Sequence, residues 1–377
     1  HKSADIARRQ IAAGALGVCC AKLGEAEALA EQGIESLHIT SPVVTPQAID
    51  RLVALNAKVS GLMLVVDHPA NVEALAAAAA KAGKPLTVVV DIDPGIHRTG
   101  VASPDDAVAL AKKVAGLKSL KYAGVQFYCG SHQHIKDFAE RKAAIEERTA
   151  YLKGIIDRLV AAGLKPGIVT GSGTGTHFID AKLGVFTELQ VGSYVFMDHD
   201  YAVCDLRGLD KPTFEQALQI DARVVSANTP GMVTVDAGLK AMATEKGPPM
   251  ILKGAVEGAT TRFMGDEHLA VIAPAGQAAP AFAEQVVPAA AAVRRRDRRR
   301  QGARRRGCVE HPRPGARGAG LHRGQRVAEP RRVPRGKGGN RGLPGAQVAA
   351  RARLPPDQGS VGVHRQPDRR ALRLRVA

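Results

Sequence analysis

The first two hundred positions alternate between short apolar runs, rich in β-branched residues, and longer stretches in which apolar and polar residues recur with helical spacing. The apolar runs predict seven β-strands. They begin at Gly17, Ser36, Gly61, Leu86, Tyr122, Pro166 and Thr187, and they read GVCCA, SLHIT, GLMLVV, LTVVVDI, YAGVQFY, PGIVTG and TELQVGSYVF.

The stretches between the strands carry signals of helix starts and stops. Residues 24–33, GEAEALAEQG, end on a glycine; Ser103 and Pro104 form an N-cap and first turn; residues 135–163 form a long amphipathic stretch. Alternating strands and helices predict parallel strands with crossover helices, in either a doubly wound sheet or a closed barrel. Seven strands behind a leading helix favour an α/β fold with a (β/α)8-type barrel that lacks its first strand.

The pattern changes after about Asp200. Short apolar runs punctuated by glycine and proline follow, among them ALQIDARVVSAN, GMVTVDAG and EHLAVIAP, and they predict a small antiparallel β domain. We therefore expect a barrel over residues 1–200, a partial C-terminal β domain over 201–287, and a non-globular, Arg/Gly/Pro/Ala-rich basic tail over 288–377.

The positive charge of the chain lies in this tail. Residues 291–377 hold 24 Arg, one Lys and five acids, a balance of +20 against +17 for the whole chain, so residues 1–290 carry −3. A nucleic-acid-binding arm usually mixes Lys with Arg and adds aromatic residues, but the tail has no aromatic residue. Because Arg, Gly, Pro and Ala have G- and C-rich codons, a shifted reading frame that begins between residues 277 and 292 is favoured over a basic extension or a disordered linker. We expect no nucleic-acid partner; a basic nucleic-acid-binding protein remains the alternative.

Cysteine usage and hydropathy indicate the compartment. The five cysteines show no C-x-x-C pair, which favours reduced thiols, and no apolar run approaches the roughly 20 residues that span a bilayer. The sequence therefore predicts a cytoplasmic protein with no membrane partner. It opens with His1 inside a helical pattern, which suggests that its natural beginning is missing.

The strongest chemical signal is IVTGSGTGT, residues 168–176, directly after a predicted strand. Glycines alternate there with hydroxyl residues, at Gly171, Ser172, Gly173, Thr174, Gly175 and Thr176. Glycines let the backbone approach a ligand and present consecutive N–H groups, and hydroxyls add donors for phosphate oxygens. Phosphate sites of barrels lie on the loops after the last strands, so this loop predicts a phosphate site; a tight turn is the alternative.

Other strand ends carry further candidates. Arg98 can clamp an anionic group, while Asp91 and Asp93 could bind a metal or cap the loop. Gln126, Tyr128, Cys129, His132 and His134 follow the fifth strand, and Gln190, Ser193, Tyr194 and Asp198 lie at or after the seventh. Two histidines at i and i+2 share no helix face, so ordinary loop histidines are favoured over a zinc site. An alternation of Tyr194 and Phe196 with the core is the other interpretation of that strand.

Six segments, in unbroken order over residues 1 to about 270, carry a family resemblance. They are HKSADIARRQIAAGALGVCCAKLGEAEALAEQGI, VDIDPGIHRTGV, YCGSHQHI, VTGSGTGTHF, TELQVGSYVFMDHDY and DAGLKAMATEKGPP. Together they resemble the D-threonine aldolase and D-serine dehydratase family, within the alanine racemase-like (fold type III) pyridoxal phosphate enzymes.

The resemblance implies a lyase that cleaves D-3-hydroxy amino acids to glycine and an aldehyde, with pyridoxal 5′-phosphate and a divalent metal (Mn, Mg or Zn). It implies that Ser172, Gly173, Thr174 and Gly175 hold the phosphate, Tyr194 lies near the pyridine end, Arg98 reaches the ring hydroxyl, and Gln126 and Tyr128 line the pocket. Thr170, Gln190 and Ser193 complete the expected cofactor-binding set. A homodimer acting on a small D-amino acid is expected; a D-serine dehydratase-type ammonia lyase is the alternative.

Two departures from the family pattern bear on activity. The family segment Pro-His-x-Lys-x-His-Lys carries the Schiff-base lysine, but this sequence begins at the final pair, His1 and Lys2. The family's metal ligands, a His-x-Asp or His-x-Cys pair, should fall close to residue 290, where VVPAAAAVRRR stands instead. The expectation is therefore a fragment with no identified catalytic residue, no metal ligand and little or no aldolase turnover.

Overall fold

Seven parallel strands and the helices between them build a barrel in the computed structural model, which describes residues 2–208, 213–244, 247–280, 285–288 and 373–376. The strands are β1 (Val18–Cys20), β2 (Ser36–Ile39), β3 (Gly61–Val66), β4 (Leu86–Asp91), β5 (Leu120–Phe127), β6 (Ile168–Gly171) and β7 (Glu188–Val191). Each pairs in parallel with its neighbour in sequence. The predicted α/β barrel is confirmed.

In the described ranges, eight α-helices surround these strands or follow them: α1 (Ala4–Ala12), α2 (Leu23–Glu31), α3 (Pro46–Lys58), α4 (Pro69–Ala82), α5 (Pro104–Ala115), α6 (Phe138–Ala161), α7 (His177–Leu183) and α8 (His199–Ala202). Side chains cap several of them. At α5, Ser103 Oγ accepts the N–H of Asp106 at 3.1 Å, and Pro104 occupies the first turn, as the sequence predicts.

The seventh predicted strand is too long. β7 ends at Val191, and Ser193–Val195 form a 3₁₀ helix, so Tyr194 and Phe196 do not continue the strand. Their β propensity is overridden by local contacts: the Ser193 carbonyl accepts the N–H groups of Phe196 and Met197 at 3.2 and 2.7 Å. The turn directs this segment across the barrel mouth.

Side chains alternate across the barrel wall with the two-residue period of a strand. On β3 and β4, Leu64, Val66, Val88 and Val90 belong to the large core shared with the helices, whereas Met63, Val65 and Val89 form a separate inner cluster. The inward positions that follow toward the carboxyl ends of the strands are polar, at Asp91, Gln126, Thr170 and Gln190, and all four are buried. The barrel thus has an apolar floor and a polar layer beneath its mouth.

A second, antiparallel sheet follows the barrel. Its strands are β8 (Ala222–Thr229), β9 (Met232–Val235), β10 (Ile251–Lys253), β11 (Thr260–Phe263), β12 (Leu269–Ile272) and β13 (Gln285–Pro288), in the order β10-β13-β8-β9-β12-β11. Its core includes Val224, Val235, Leu269 and Val271, none of which is more than 2% exposed. The predicted small antiparallel β region is confirmed.

One further strand, β14 (Arg373–Val376), comes from the far end of the chain. Its backbone pairs in parallel with β7, Arg373 opposite Glu188 and Val376 opposite Val191, and with β1 through Val18. β14 thereby occupies the position between β7 and β1 at which the sequence leaves a strand unassigned. The rest of the expected tail, residues 289–372 and 377, lies outside the described residues.

Cys19, Cys20, Cys129 and Cys204 are buried, and none of them forms a disulfide with another described residue. Among the residues with a described position, none of the helices has both the length and the apolar character needed to cross a membrane.

Candidate functional site

A cleft of about 280 Å³ opens at the carboxyl ends of the barrel strands. It brings together seven predicted site residues: Arg98, Gln126, Tyr128, Gly173, Thr174, Gln190 and Ser193. Four further residues line it: Cys19, Thr40, Gly192 and Tyr201. Thr40 could have been found from the sequence, because it ends the second predicted strand.

The glycine-rich loop after β6 forms one wall of the cleft. Ser172 has a positive φ of 67°, which turns the chain sharply at the strand end, and its Oγ lies 3.3 Å from Thr176 Oγ1. Gln133 braces the loop from behind, since its Oε1 accepts the N–H of Gly175 at 2.9 Å and its Nε2 donates to Thr176 Oγ1 at 3.0 Å. A Cβ on Gly175 would clash with the backbone carbonyl of Gln133, so this loop position requires glycine.

Free backbone donors line the same wall. The Thr174 hydroxyl accepts the N–H of Tyr194 at 3.0 Å and so ties the loop after β6 to the loop after β7. Within the described part of the chain, the N–H groups of Gly173, Thr174 and Ser193 make no hydrogen bond to a backbone or side-chain acceptor. Such N–H groups around one cleft form a nest that suits an anion. The arrangement fits the phosphate group of a cofactor.

Arg98 brings a positive charge to the lining of the cleft. Its guanidinium carbon lies 5.3 Å from the centre of the Tyr128 ring, within the range of a cation–π contact. Burial raises the pKa of Tyr128, while the charge of Arg98 and a hydrogen bond with Tyr201 oppose that rise. Tyr128 is therefore a neutral hydroxyl at neutral pH, and Arg98 remains available to an anionic ligand group.

The turn that carries Arg98 is capped by Asp93. Its Oδ1 accepts the N–H groups of Gly95, Ile96 and His97 at 2.9, 3.0 and 3.0 Å, and its Oδ2 lies 2.7 Å from His97 Nδ1. Burial opposes ionisation of Asp93, but the hydrogen bonds from His97 and Gly95 outweigh it and lower the pKa. Of the two alternatives for this acid, the geometry supports the cap rather than a metal ligand.

The polar layer beneath the cleft is one hydrogen-bonded chain. Asp91 Oδ2 accepts from Thr99 Oγ1 at 2.7 Å, and its Oδ1 accepts from Gln126 Nε2 at 3.0 Å. Gln190 Nε2 donates to Gln126 Oε1 at 2.9 Å and to Thr170 Oγ1 at 3.0 Å. Burial raises the pKa of Asp91 to about 6, against the two hydrogen bonds it accepts.

Several predicted residues lie outside the cleft lining. Thr170, Ser172 and Gly175 are buried behind it. Tyr194 turns away: its hydroxyl accepts from Gln10 Nε2 at 2.7 Å, and its ring centre lies 5.7 Å from that of Phe214. The 3₁₀ turn after β7, which the sequence does not reveal, causes this orientation.

The remaining candidates have structural contacts. Asp198 caps α8 by accepting the N–H of Tyr201 at 3.2 Å, and His134 Nδ1 lies 2.8 Å from Asp200 Oδ2. Burial raises the pKa of Cys129 to about 12, so its thiol is not a nucleophile at neutral pH. His1 lies outside the described residues, and Lys2 is 67% exposed and forms an ion pair with Glu25 at 2.8 Å. No group of three or more potential metal ligands occurs among the described residues.

Comparison with known proteins assigns the family. The model of the alanine racemase N-terminal domain matches residues 1–200, and that of a serine dehydratase domain matches residues 217–289. The chain belongs to the alanine racemase N-terminal domain family. The members of this alanine racemase-like family are enzymes that depend on pyridoxal phosphate.

Several of the similar proteins are aldolases. A 3-hydroxy-D-aspartate aldolase of Paracoccus denitrificans is 40% identical over 255 residues, 67% of this chain and 66% of that protein. A D-threonine aldolase of Arthrobacter sp. is 37% identical over 74% of this chain and 73% of that protein. The crystal structure of D-threonine aldolase from Filomicrobium marinum superposes with a TM-score of 0.73 and 36% identity over 78% of each chain. The relatives also include a D-threo-3-hydroxyaspartate dehydratase. The chain thus spans about two thirds of the first relative's length.

Proposed function

We propose that the cleft binds pyridoxal 5′-phosphate, and that the protein is a lyase of the D-threonine aldolase type acting on D-3-hydroxy amino acids. The observation that carries this proposal is the set of unbonded N–H groups of Gly173, Thr174 and Ser193, three residues that line the cleft together with Arg98. An aldolase of 37% identity supports the reaction class.

Each part of the cleft has a distinct task in this proposal. The N–H groups of Gly173, Thr174 and Ser193 hold the phosphate, and Arg98, which lines the same cleft, contacts an anionic oxygen of the ring or of the substrate. Gln126 and Gln190 form a hydrogen-bonding floor, and Tyr128 and Tyr201 restrict water access. Bound pyridoxal phosphate supplies an electron sink for the negative charge left on a substrate carbon when its bond breaks.

Lysine is absent from the cleft lining among the described residues. Lys2, which the family resemblance makes a neighbour of the Schiff-base lysine, is paired with Glu25 on the surface. We therefore propose that the chain as given holds the cofactor through phosphate and ring contacts, without a covalent link. Borohydride reduction of the mixture should leave the cleft unmodified, and an adduct mapped to Lys2 would contradict this.

Equilibrium binding tests the cofactor proposal. Absorbance titration should show saturable binding of pyridoxal phosphate, competition by inorganic phosphate, and much weaker binding of pyridoxal, which lacks the phosphate. Arg98→Gln should weaken pyridoxal phosphate binding by about tenfold, the worth of one charge-assisted contact of ~1.4 kcal/mol. Arg9→Gln, on the exposed face of α1, is the matched control and should bind as the unchanged protein does. Equal affinity for pyridoxal and its phosphate would refute the phosphate loop.

The dehydratase alternative concerns the same cleft. The match of residues 217–289 to a serine dehydratase domain and the dehydratase relative favour it. Product analysis of a version extended to the full length of its relatives separates the two reactions: D-threonine yields glycine and acetaldehyde in one, and D-serine yields pyruvate and ammonia in the other. We propose the aldolase because the more similar relatives are aldolases.

Three further features belong to the same proposal. A cofactor domain over residues 1–200 and a partial C-terminal β domain over 201–287 are supported by the matches of residues 1–200 and 217–289. A divalent metal assists the reaction, as the family resemblance implies. The protein is a cytoplasmic homodimer without a nucleic-acid or membrane partner.

A further inference from the structure

The polar layer under the cleft contains one carboxylate, that of Asp91, which accepts hydrogen bonds but cannot donate them. Asp91 is 3% exposed and ends β4. Both of its oxygens accept, one from Thr99 and one from Gln126. An ionised carboxylate cannot donate a hydrogen bond, so each neighbour must turn a donor toward it.

The carboxylate of Asp91 thereby restricts the orientation of Gln126, and through it that of Gln190. Because Gln126 turns its Nε2 toward Asp91, its Oε1 faces Gln190 and must receive a donor from it. The Nε2 of Gln190 uses its two hydrogens for Gln126 and Thr170. The Oε1 of Gln190 is therefore the acceptor that remains for the cleft, which both glutamines line.

We propose that Asp91 is a positioning residue that sets the orientation of both glutamine amides, so that Gln190 presents a carbonyl oxygen to the ligand in the cleft. A glutamine amide by itself has two orientations of nearly equal shape, and only its partners distinguish them. Here the buried charge of Asp91, at one end of the hydrogen-bonded chain, selects the orientation of both amides. The identity of the ligand rests on the proposed function; the orientation of the amides does not.

Protonation of Asp91 removes the restriction. The protonated group can donate to Gln126, and then either orientation of the two amides satisfies every bond. The charged or titratable groups that face Asp91 are Asp67, which raises its pKa, and Arg98, which lowers it; burial is the largest influence, and the pKa lies at about 6. We expect one amide orientation above this pH and a mixture below it.

Side-chain amide NMR of the ligand-free, ¹⁵N-labelled protein tests the orientation directly. The Gln126 and Gln190 amide signals should shift with a midpoint near pH 6 in the unchanged protein, and the shift should vanish in Asp91→Asn. Asp50→Asn, a change of the same kind on the exposed face of α3, should titrate as the unchanged protein does. Thr99→Val removes the other partner of Asp91 and should raise the midpoint while leaving the high-pH signals in place. The proposal is overturned if the Gln126 and Gln190 amide signals do not change with pH in the unchanged protein, or if they change in the same way in Asp91→Asn.

Ligand binding provides a second readout. At pH 8, Asp91→Asn should weaken pyridoxal phosphate binding about tenfold and change the binding of inorganic phosphate by less than about twofold, since phosphate contacts the loop after β6 and not the glutamines. If Asp91→Asn loses affinity for both pyridoxal phosphate and inorganic phosphate, Asp91 has a general structural role and the positioning role is overturned. If the unchanged protein binds neither ligand, the proposed function fails, and the amide titration still decides the role of Asp91.

Discussion

Asp91 and Asp180 are buried carboxyl groups, each close to a part of the proposed site. Asp91 anchors the glutamine chain under the cleft, and Asp180 is hydrogen-bonded to Thr176 and Ser172 of the glycine-rich loop. Burial raises the pKa of each to about 6. At neutral pH both are ionised inside the protein, where the charge costs free energy.

The raised pKa values predict a pH dependence of stability. The folded protein binds these protons more tightly than the unfolded chain does, so each group stabilises the fold below about pH 4 and loses that contribution as the pH rises to about 6. Replacing Asp91 or Asp180 by Asn removes the dependence. The free energy of unfolding of each variant, relative to the unchanged protein, should improve by up to ~3 kcal/mol between pH 4 and pH 8.

Urea unfolding at a series of pH values measures this difference. Asp50→Asn, whose carboxyl group is exposed, should show no such trend. A relative stability that is the same at pH 4 and pH 8, or that improves toward acid, would contradict the burial of both charges.

At the scale of elements, the sequence predicted the glycine-rich loop but not what holds it. The loop depends on Gln133, which the 3₁₀ helix Ser131–His134 places behind it, with the Gln133 side chain fully buried. Gln133 and Gly175 are 42 positions apart in the chain, and no local periodicity connects them. The strands β5 and β6, which precede these two loops, were predictable from their apolar runs. A side chain that links one loop to the other is placed only when the barrel has formed.

Loss of the Gln133 amide should loosen the loop. Gln133→Leu has a similar volume but leaves the N–H of Gly175 without its acceptor and removes one of the hydrogen bonds of the Thr176 hydroxyl, so we expect a loss of about 1–3 kcal/mol in stability. Binding of inorganic phosphate should weaken as well, because the loop backbone is no longer fixed. Gln47→Leu on the exposed face of α3 is the control. Unchanged phosphate affinity in Gln133→Leu would show that the loop is held by other contacts.

Elements with a local sequence signal were predicted, whereas those that depend on contacts between distant segments were not. Apolar runs rich in Val and Leu, such as those of β3 and β4, identify buried parallel strands, and Ser103 with Pro104 identifies the start of α5. The end of β7 was misplaced because Tyr194 and Phe196 favour a strand, while the bond from the Tyr194 N–H to Thr174 turns the chain. Cleft residues at strand ends, such as Arg98 and Gln126, were predictable; Cys19 and Tyr201 were not, because only closure of the barrel brings them there.

At the scale of the whole molecule, the barrel fold followed from the count and spacing of its strands, and the second sheet from the change of pattern after residue 200. β14 could not be predicted, since its four residues follow a long segment without periodicity and gain their strand character from pairing with β7 and β1. The net charge of the whole chain does not describe the part that contains the cleft, because residues 1–290 carry −3.

We propose that the loop after β6 and the turn after β7 hold a phosphate group through their backbone N–H groups. Backbone amide NMR of the deuterated, ¹⁵N-labelled protein, titrated with pyridoxal phosphate, observes these groups themselves. We expect the amide signals of Gly173, Thr174 and Ser193 to shift together, with one dissociation constant, and inorganic phosphate to shift the same three signals. Saturable binding that leaves these amides unmoved, with shifts elsewhere on the molecule, would contradict it.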